Sequence, residues 1–517
     1  MLNNFNIEGI KFIKPNKKFI LHSLISDHVV FQSDKEIEIF GLAQEGTIIL
    51  VKLTSDSDEN ISYEGYTLVD ETHEWMIKLP ALTSSFNTYT LTVSDTVNTE
   101  VVKDILIGEV WVLAGQSNMG IRVKEMDEGL VTMALANEKF IRIFYQDESL
   151  NAEEYPYLKD YDVKGGIWKK ADSGENIATC SAVGYTFAYE LFNRLNSESN
   201  HVPLAIINTQ KGGSSIHAWL DRDIVLKNEH IKNFVLSKNY SLDDDKWNTF
   251  DKKNYNQVSA LFNRRVAPLM KKSIKGIIFY QGENDPYYDP MIYSLRELID
   301  SYSRGFNKND DLLYFGLIEL HPYDGVDYIL GPSEKKYNVL GFAQHRQAQI
   351  NVALDKKYQE HVTIIPIYDI SLKWNVEKSQ FAYTSLLHPV CKKPVGKRTG
   401  QIIYSFCYAK DDRYLAPIYD THEYDQNSIT ITLKNVGDGL LTFKNSSEGI
   451  TTVEVILNNK ERVSVKAEII SKNQIRITNV NTANVLKFAY SNFSRNEESN
   501  LANSEKIPAL PFVISLR

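Results

Sequence analysis

The first hundred residues carry a pattern typical of short strands. Apolar and polar positions alternate in HVVFQ, EIEIFG, TIILVKL, EWMIKL and TYTLTVS, and Gly, Asp, Ser or Asn residues separate these segments. Period-two alternation broken by turn residues is typical of antiparallel strands. The pattern predicts a small β-sandwich over residues 1–104.

The pattern changes near residue 105. The strand-like runs EVWVLAG, PLAIINTQ, IKGIIFYQG, LLYFGLIEL and VTIIPIYD now alternate with helical segments. Several runs are apolar without alternation, as in parallel strands that are covered on both faces. This order predicts a doubly wound α/β domain over 105–410. The predicted helices are Ala182–Asn193, Val258–Lys272, Tyr293–Phe306, Gly341–Val352 and one that starts at about Lys393.

Strand-like segments return after residue 410. SITITL, TVEVILNN, VSVKAEII, QIRITN, VLKFAYS and FVISL each combine β-branched residues with alternation. We therefore expect a second β-rich region over 411–517, so that two β-sandwich-like regions flank the α/β domain.

Composition narrows the class of partner. The 517 residues are too many for one ordinary core, and 43% hydrophobic with 24% charged residues indicates a globular chain. A formal charge of −9 argues against nucleic acid, which requires a concentrated basic face. No run approaches 18 apolar residues, so we expect no membrane span. Neutral polymers or small molecules fit this balance better.

The number and spacing of the cysteines indicate the redox state of the compartment. Cys180, Cys391 and Cys407 are odd in number, and no pair has metal-ligand spacing. We expect no disulfide framework, and a reducing compartment is favoured. The amino-terminal residues lack a basic segment followed by an apolar core, so a cytoplasmic location is expected.

Polar clusters follow two of the predicted strands directly. Gly115-Gln116-Ser117-Asn118-Met119 ends the first, and Ser117 is either a nucleophile at the sheet edge or a helix N-cap. Residues 208–215, NTQKGGSS, end the second. The paired glycines allow the backbone to approach a ligand and to aim an N–H at it, although they also suit a plain turn.

Two further clusters lie later in the chain. Residues 280–285, YQGEND, bring two amides and two carboxylates to a strand end, and amides can donate to an oxyanion. His388-Pro389 precedes a predicted helix. A loop histidine can be a general base, although a lone histidine is more often an ordinary surface or core residue. Nucleophile, donors and base together are the groups that acyl transfer needs.

These segments resemble the successive blocks of the SGNH/GDSL hydrolase superfamily, in its sialate O-acetylesterase branch. The matching stretches are GQSNM, SAVGYTFAYEL, NTQKGGSSIHAW, LFNRRVAPLMKKSIKGIIFYQGEND, FAQHRQAQ and LHPVCKKPVGKR, and both flanking regions also resemble the family. The resemblance implies a flavodoxin-like α/β/α catalytic domain with a parallel sheet. It further implies hydrolysis of acetyl esters on sialate or plant-type sugars through an acetyl-enzyme. The partner would be an O-acetylated mono- or oligosaccharide, and no metal or cofactor is implied.

The resemblance also assigns roles. Ser117 matches the nucleophile and His388 the base, and the N–H groups of Ser117 and Gly213 match oxyanion donors. Either Gln281 or Asn284 matches the side-chain oxyanion donor. Four residues are expected to contact the substrate: Gln116, Asn118, Glu283 and Arg346.

The chain departs from the family pattern just before the histidine. The superfamily places an aspartate two or three residues earlier, where this chain has Leu386 and Ser385. Without it the imidazole loses orientation and stabilisation. Three interpretations remain: a Ser–His dyad, in which a backbone carbonyl can orient the imidazole, or Asp369 or Glu283 as the acidic partner. The missing aspartate also leaves open a non-catalytic carbohydrate-binding protein with a decayed site.

Other residues have smaller expected roles. Arg346 and Gln349 share a helix face and either buttress the site or face solvent. His217 and Trp219 either contact sugar or, more typically for Trp219, pack in the core. His321, also followed by proline, is the rival base. A sialate carboxylate would favour a nearby cation, for which the candidates are Arg122, Lys211 and Arg346.

Overall fold

The protein is a mixed α/β chain built around one large central sheet. The computed structural model describes residues 12–13 and 19–517, except for 96, 147–153, 157, 164, 198–199, 241, 243–252, 286–288, 308–310, 324–325, 328–330, 333–340, 371–386 and 444–448. The predicted α/β class is confirmed.

The amino-terminal region is built from β-strands. In β5, Ile49, Val51 and Leu53 are buried while alternate residues are exposed, which is the period-two pattern that the sequence shows. Strands β2, β4 and β7 form one antiparallel sheet, and β6, β5, β8 and β9 lie in that order in another. The bounds are β1 Phe12–Ile13, β2 Phe19–Leu21, β3 Val30–Gln32, β4 Ile37–Ala43, β5 Ile48–Ser55, β6 Ser62–Leu68, β7 Glu74–Leu79, β8 Ser85–Ser94 and β9 Thr99–Gly115.

Strand β9 connects the amino-terminal region to the central sheet. Its first part pairs with β8, and its residues 109–115 lie between two later strands of the central sheet. Residues 110–114 are at most 1% exposed, which explains their unbroken apolar run. The strand runs without interruption across residues 104 and 105, where the sequence places a domain boundary, and that boundary stays a prediction.

The central sheet continues with strands from the middle of the chain. Their bounds are β10 Glu138–Tyr145, β11 Lys159–Asp160, β12 Ile167–Ala171, β13 Leu204–Asn208, β14 Gly276–Tyr280, β15 Tyr314–Ile318, β16 Val326–Asp327, β17 Gly331–Pro332 and β18 Val362–Ile365. The order across the sheet is β12-β10-β13-β9-β14-β15-β18. All neighbours in this order are parallel except β12 and β10. Parallel strands direct their carboxyl ends to one edge, and ligands of such sheets bind there.

Helices cover the sheet. Their bounds are α1 Ser117–Gly120, α2 Gly129–Ala134, α3 Gly174–Ile177, α4 Ala182–Leu195, α5 Arg222–Lys227, α6 Glu229–Ser237, α7 Asp289–Asn307, α8 Gly341–Ala353 and α9 Lys393–Ile403. The helix predicted over 258–272 is instead a π-helical turn, Phe262–Val266, followed by a 3₁₀ turn, Ala267–Lys271. Pro268 has no N–H for a regular α-helix, which accounts for the irregularity. No helix in the described part of the chain is long and apolar enough to cross a membrane.

The carboxyl-terminal strands enclose a core of their own, whereas the amino-terminal strands share one core with the central sheet. Two four-stranded sheets, β19-β20-β25-β24 and β23-β22-β26-β28, surround residues such as Ile431 and Phe488. The bounds are β19 Ile418–Tyr424, β20 Ser428–Lys434, β21 Leu440–Thr442, β22 Val453–Leu457, β23 Arg462–Ser464, β24 Ala467–Ser471, β25 Gln474–Thr478, β26 Val485–Tyr490, β27 Leu501–Asn503 and β28 Phe512–Ser515.

Candidate active site

A glycine ends β9 because no other residue fits there. Gly115 has a φ of +134°, and a Cβ on it would lie 2.1 Å from the carbonyl oxygen of Tyr280 on β14. The chain turns at this point, and the Gln116 N–H donates to the same Tyr280 carbonyl at 3.0 Å. Ser117 then begins the single-turn helix α1. The turn therefore presents the Ser117 hydroxyl at the carboxyl edge of the sheet.

His388 contacts this serine directly. The distance between His388 Nε2 and Ser117 Oγ is 2.8 Å, although the residues are 271 positions apart in sequence. Burial, reinforced by the nearby Lys392 ammonium, lowers the pKa of His388 to about 4. The imidazole is therefore neutral near pH 7 and able to accept the hydroxyl proton.

The glycine pair lies against Ser117. A Cβ on Gly212 would be 3.6 Å from the Ser117 Cβ, and Gly213 has a φ of +70°. Both glycines are exposed. Among the hydrogen bonds of the described residues, none engages the N–H of Gly213 or of Ser117. Two backbone donors are thus available beside the hydroxyl, as an oxyanion requires.

The side-chain amides of the polar cluster at residues 280–285 hold the turn that contains Gly212 and Gly213 in place. Gln281 Nε2 donates to the Ser214 carbonyl at 3.1 Å and to Asp285 Oδ2 at 2.7 Å. Asn284 Nδ2 donates to the Gly213 carbonyl at 3.3 Å and to Ser215 Oγ at 2.7 Å. An NH₂ group has two hydrogens, so both amides are fully engaged in bracing the turn. Their role as oxyanion donors stays a prediction.

Three buried polar side chains, those of Asn118, Glu283 and Lys392, form a hydrogen-bonded cluster next to Ser117. Asn118 Oδ1 accepts from Lys392 Nζ at 2.7 Å, while its Nδ2 donates to Glu283 Oε1 and to the Leu387 carbonyl. Burial raises the pKa of Glu283 and lowers that of Lys392. Lys392 is not among the residues predicted from the sequence, although its place four residues after His388 is a possible signal.

Three of the side chains predicted to contact the substrate are buried. Gln116, Asn118 and Glu283 are at most 3% exposed. Gln116 Oε1 accepts from the Gly282 N–H at 3.5 Å, which ties the turn at residues 115–117 to the polar cluster of residues 280–285. These side chains form the floor of the site and present little surface to a ligand.

The candidate acidic partners are both engaged elsewhere. Both oxygens of Asp369 accept from the Arg398 guanidinium, one at 2.7 Å, while Glu283 bonds Asn118. Leu386 and Ser385, which replace the usual aspartate, lie outside the described residues. The choice among the three interpretations stays a prediction.

Two residues predicted near the site lie in the interior. Arg346 is fully buried, donates to the Leu320 and Ser494 carbonyls and lies 3.4 Å from Glu319. Its neighbour on the helix face, Gln349, donates to the Ile318 carbonyl, so this face packs on the sheet and does not face solvent.

The remaining candidates also have defined places. His321 Nδ1 is 3.4 Å from the Tyr280 hydroxyl. His217 is 1% exposed, and its Nε2 lies 2.8 Å from the Asn256 carbonyl. Trp219 is in the core, with its Nε1 on Ser214 Oγ. Among the described residues, no group of three or more His, Cys, Asp or Glu residues is arranged to hold a metal ion.

Comparisons with known proteins address the family. Residues 107–294 match the family described as carbohydrate esterase, sialic acid-specific acetylesterase. Sialate O-acetylesterase from Mus musculus is 24% identical over 336 residues, or 59% of this chain and 60% of that protein. The Homo sapiens enzyme is 25% identical over 321 residues, or 58% and 57% of the two chains. The match spans about three fifths of these relatives' length.

The fold of the chain also has a solved counterpart. A novel carbohydrate acetylesterase from Xanthomonas citri superimposes with a TM-score of 0.76 at 22% identity, covering 96% of this chain and 100% of that one. At this identity the likeness concerns the fold, and it extends well beyond the segment that the family comparison matches.

Proposed function

We propose that the protein is a serine esterase of the SGNH type that removes acetyl groups from carbohydrate. The observation that carries the proposal is the 2.8 Å contact between His388 Nε2 and Ser117 Oγ at the carboxyl edge of a parallel sheet. Strands β13-β9-β14-β15-β18 follow the order 2-1-3-4-5 of flavodoxin-like sheets when β10, which adds in parallel on the outer side of β13, is left out of the numbering, and this order supports the SGNH assignment.

The reaction proceeds in two steps. His388 takes the Ser117 proton while Oγ attacks the acetyl carbon, and the imidazolium then protonates the departing sugar oxygen. The acetyl-enzyme is hydrolysed when His388 removes a proton from water. In both steps the N–H groups of Ser117 and Gly213 stabilise the oxyanion, a contribution of roughly 3–4 kcal/mol per donor.

The entrance of the site favours a sugar as the group that carries the ester. A Cβ on Gly213 would lie 2.9 Å from the Tyr255 hydroxyl, so this phenol flanks the exposed glycine turn. The Lys211 ammonium lies 5.3 Å from the Tyr255 ring and 5.6 Å from that of Tyr155. Aromatic rings beside polar groups suit an O-acetylated mono- or oligosaccharide.

Lys211 is the best placed of the three candidate cations for a substrate carboxylate. Its N–H donates to the Gly115 carbonyl, next to the nucleophile turn, whereas Arg122 is paired with Glu125 and Arg346 lies in the interior. If the substrate is sialate, Lys211→Met raises KM for acetylated sialosides and leaves KM for neutral acetylated sugars unchanged.

Acetate release from a panel of acetylated sialosides, xylo-oligosaccharides and manno-oligosaccharides tests the proposal. We expect the wild-type protein to hydrolyse at least one of these substrate classes. We expect Ser117→Ala to hydrolyse none of them. Glycan binding without acetate release would support the alternative of a decayed site, although the contact between Ser117 and His388 argues against decay.

A further inference from the structure

Lys392 is a buried cation next to the proposed base. It is 1% exposed, and its Nζ donates to Asn118 Oδ1 at 2.7 Å and lies 5.6 Å from the centre of the Tyr280 ring. A charge is costly to bury unless it is hydrogen-bonded and paired. A hydrophobic residue would fill this position more cheaply, so the lysine calls for a reason beyond packing.

Asn118 links this cation to the carboxyl of Glu283. Its oxygen faces the ammonium, and its NH₂ group donates to Glu283 Oε1, so the amide dipole is aligned between the two groups. The second hydrogen of the NH₂ group goes to the Leu387 carbonyl at 3.0 Å. Asn118 follows the nucleophile in sequence, and Leu387 precedes the base.

We propose that Asn118, Glu283 and Lys392 form a positioning clamp that fixes the His388 loop, residues 387–392, against the turn at residues 115–117 that carries Ser117. The clamp holds this loop at both ends, because Asn118 binds the carbonyl of Leu387 and the side chain of Lys392. Through Glu283 it is also anchored to the end of β14. The inference rests on the proposed roles of Ser117 and His388.

The clamp orients the His388 imidazole, a task that the superfamily assigns to an aspartate shortly before the histidine. The base must stay within hydrogen-bond reach of the nucleophile, and a displacement of about 1 Å costs roughly 10²-fold in rate. Because the clamp holds a backbone carbonyl before His388 and a side chain after it, it controls this distance whatever group faces the other ring nitrogen. Its members are positioning residues and do not touch the reacting atoms.

The clamp also has an electrostatic signature. The Lys392 ammonium depresses the pKa of His388, so removing the charge should raise that pKa. Among the described residues, Tyr280 at the end of β14, Glu283 and Asp285 just after it and Cys391 on the loop are further titratable groups near Lys392. The carboxyl of Glu283 has a raised pKa and is neutral in the acid range where His388 titrates, so it does not mask the effect of Lys392.

Three variants test the clamp. Lys392→Met removes the charge at similar length, Lys392→Arg keeps it, and Lys393→Met removes the neighbouring exposed charge that pairs with Glu128. Acetyl-ester kinetics give kcat and KM, and NMR of ¹³C-labelled histidine gives the pKa of His388, whose signal is identified by its loss in His388→Asn. We expect Lys392→Met to lose about 10²-fold in kcat with little change in KM and to raise the His388 pKa. Lys392→Arg should retain more activity, and Lys393→Met should match the wild type.

Asn118→Ala is a second route to the same question if Lys392→Met does not fold. The clamp predicts a comparable fall in kcat at unchanged KM, whereas a substrate contact by Asn118 would raise KM. Wild-type rates together with an unmoved His388 pKa in Lys392→Met would overturn the clamp.

Failure of the proposed function is distinguishable from failure of the clamp. If the wild type releases no acetate from any substrate, the rate at which a fluorophosphonate labels Ser117 replaces kcat in the same comparison. Slower labelling in Lys392→Met than in Lys393→Met then supports the clamp, and equal labelling overturns it.

Discussion

Acidification tests whether a buried neutral histidine is the base. With the pKa of His388 lowered to about 4, roughly 97% of the imidazole is neutral at pH 5.5, against about 9% for an ordinary histidine near 6.5. The two cases differ about tenfold in the competent fraction of enzyme at that pH. We therefore predict that kcat/KM is flat from pH 7.5 to about 5.5 and declines only toward pH 4.

The assay is the initial rate of acetate release, quantified by chromatography so that detection does not depend on pH. Acid also destabilises the protein, because the unfolded chain binds a proton at an ordinary histidine pKa whereas folded His388 excludes it. Stability therefore falls as the pH drops from about 6.5 toward 4. Circular dichroism at each pH is the control for this loss. A midpoint near 6.5 in fully folded protein would refute the reasoning.

Three substitutions extend the test. Gly115→Ala should lower the free energy of unfolding in urea by about 3 kcal/mol or more, because it combines a positive φ with a contact of 2.1 Å to the Tyr280 carbonyl. The control Gly46→Ala, at a position with a positive φ and open space, should lower it by only about 1–2 kcal/mol. Equal losses in the two variants would contradict the steric argument. Asn284→Ala should lower kcat by less than the roughly 10²-fold expected for loss of an oxyanion donor, because its amide braces the turn; a larger loss in steady-state kinetics would restore it as a donor. Asp369→Asn should lower stability by about 3 kcal/mol through the loss of the Arg398 pair but leave kcat of the folded protein near the wild-type value; a loss near that of Ser117→Ala would make Asp369 the acidic partner.

The strands that carry the site were easier to predict from the sequence than the strands at the edge of the sheet. The apolar runs of β9, β13, β14, β15 and β18 are buried on both faces, and this burial makes them recognisable. The sequence analysis did not identify β10 and β12, whose exposed or charged residues weaken the apolar signal. The segment predicted to be helical over 258–272 is helical but irregular, because Pro268 disfavours a regular α-helix at this point.

Within the site, residue types were easier to predict than contacts. The sequence points to Ser117 and His388 through their strand-end positions and the family pattern, and the structure places them in contact. It could not show that the Gln281 and Asn284 amides use both hydrogens on the glycine turn. The burial of Lys392 was hard to predict, because a lysine at the start of a predicted helix is ordinarily exposed.

The central claim is that Ser117 carries the acetyl group between the two steps. Rapid quenching during turnover of an activated acetyl ester, followed by peptide mass spectrometry, tests it directly. The account predicts one acetyl group on the peptide that contains Ser117, absent from Ser117→Ala, which should also release no acetate above the background rate. Acetate release that persists in Ser117→Ala, or an acetyl group on another residue, would contradict the account.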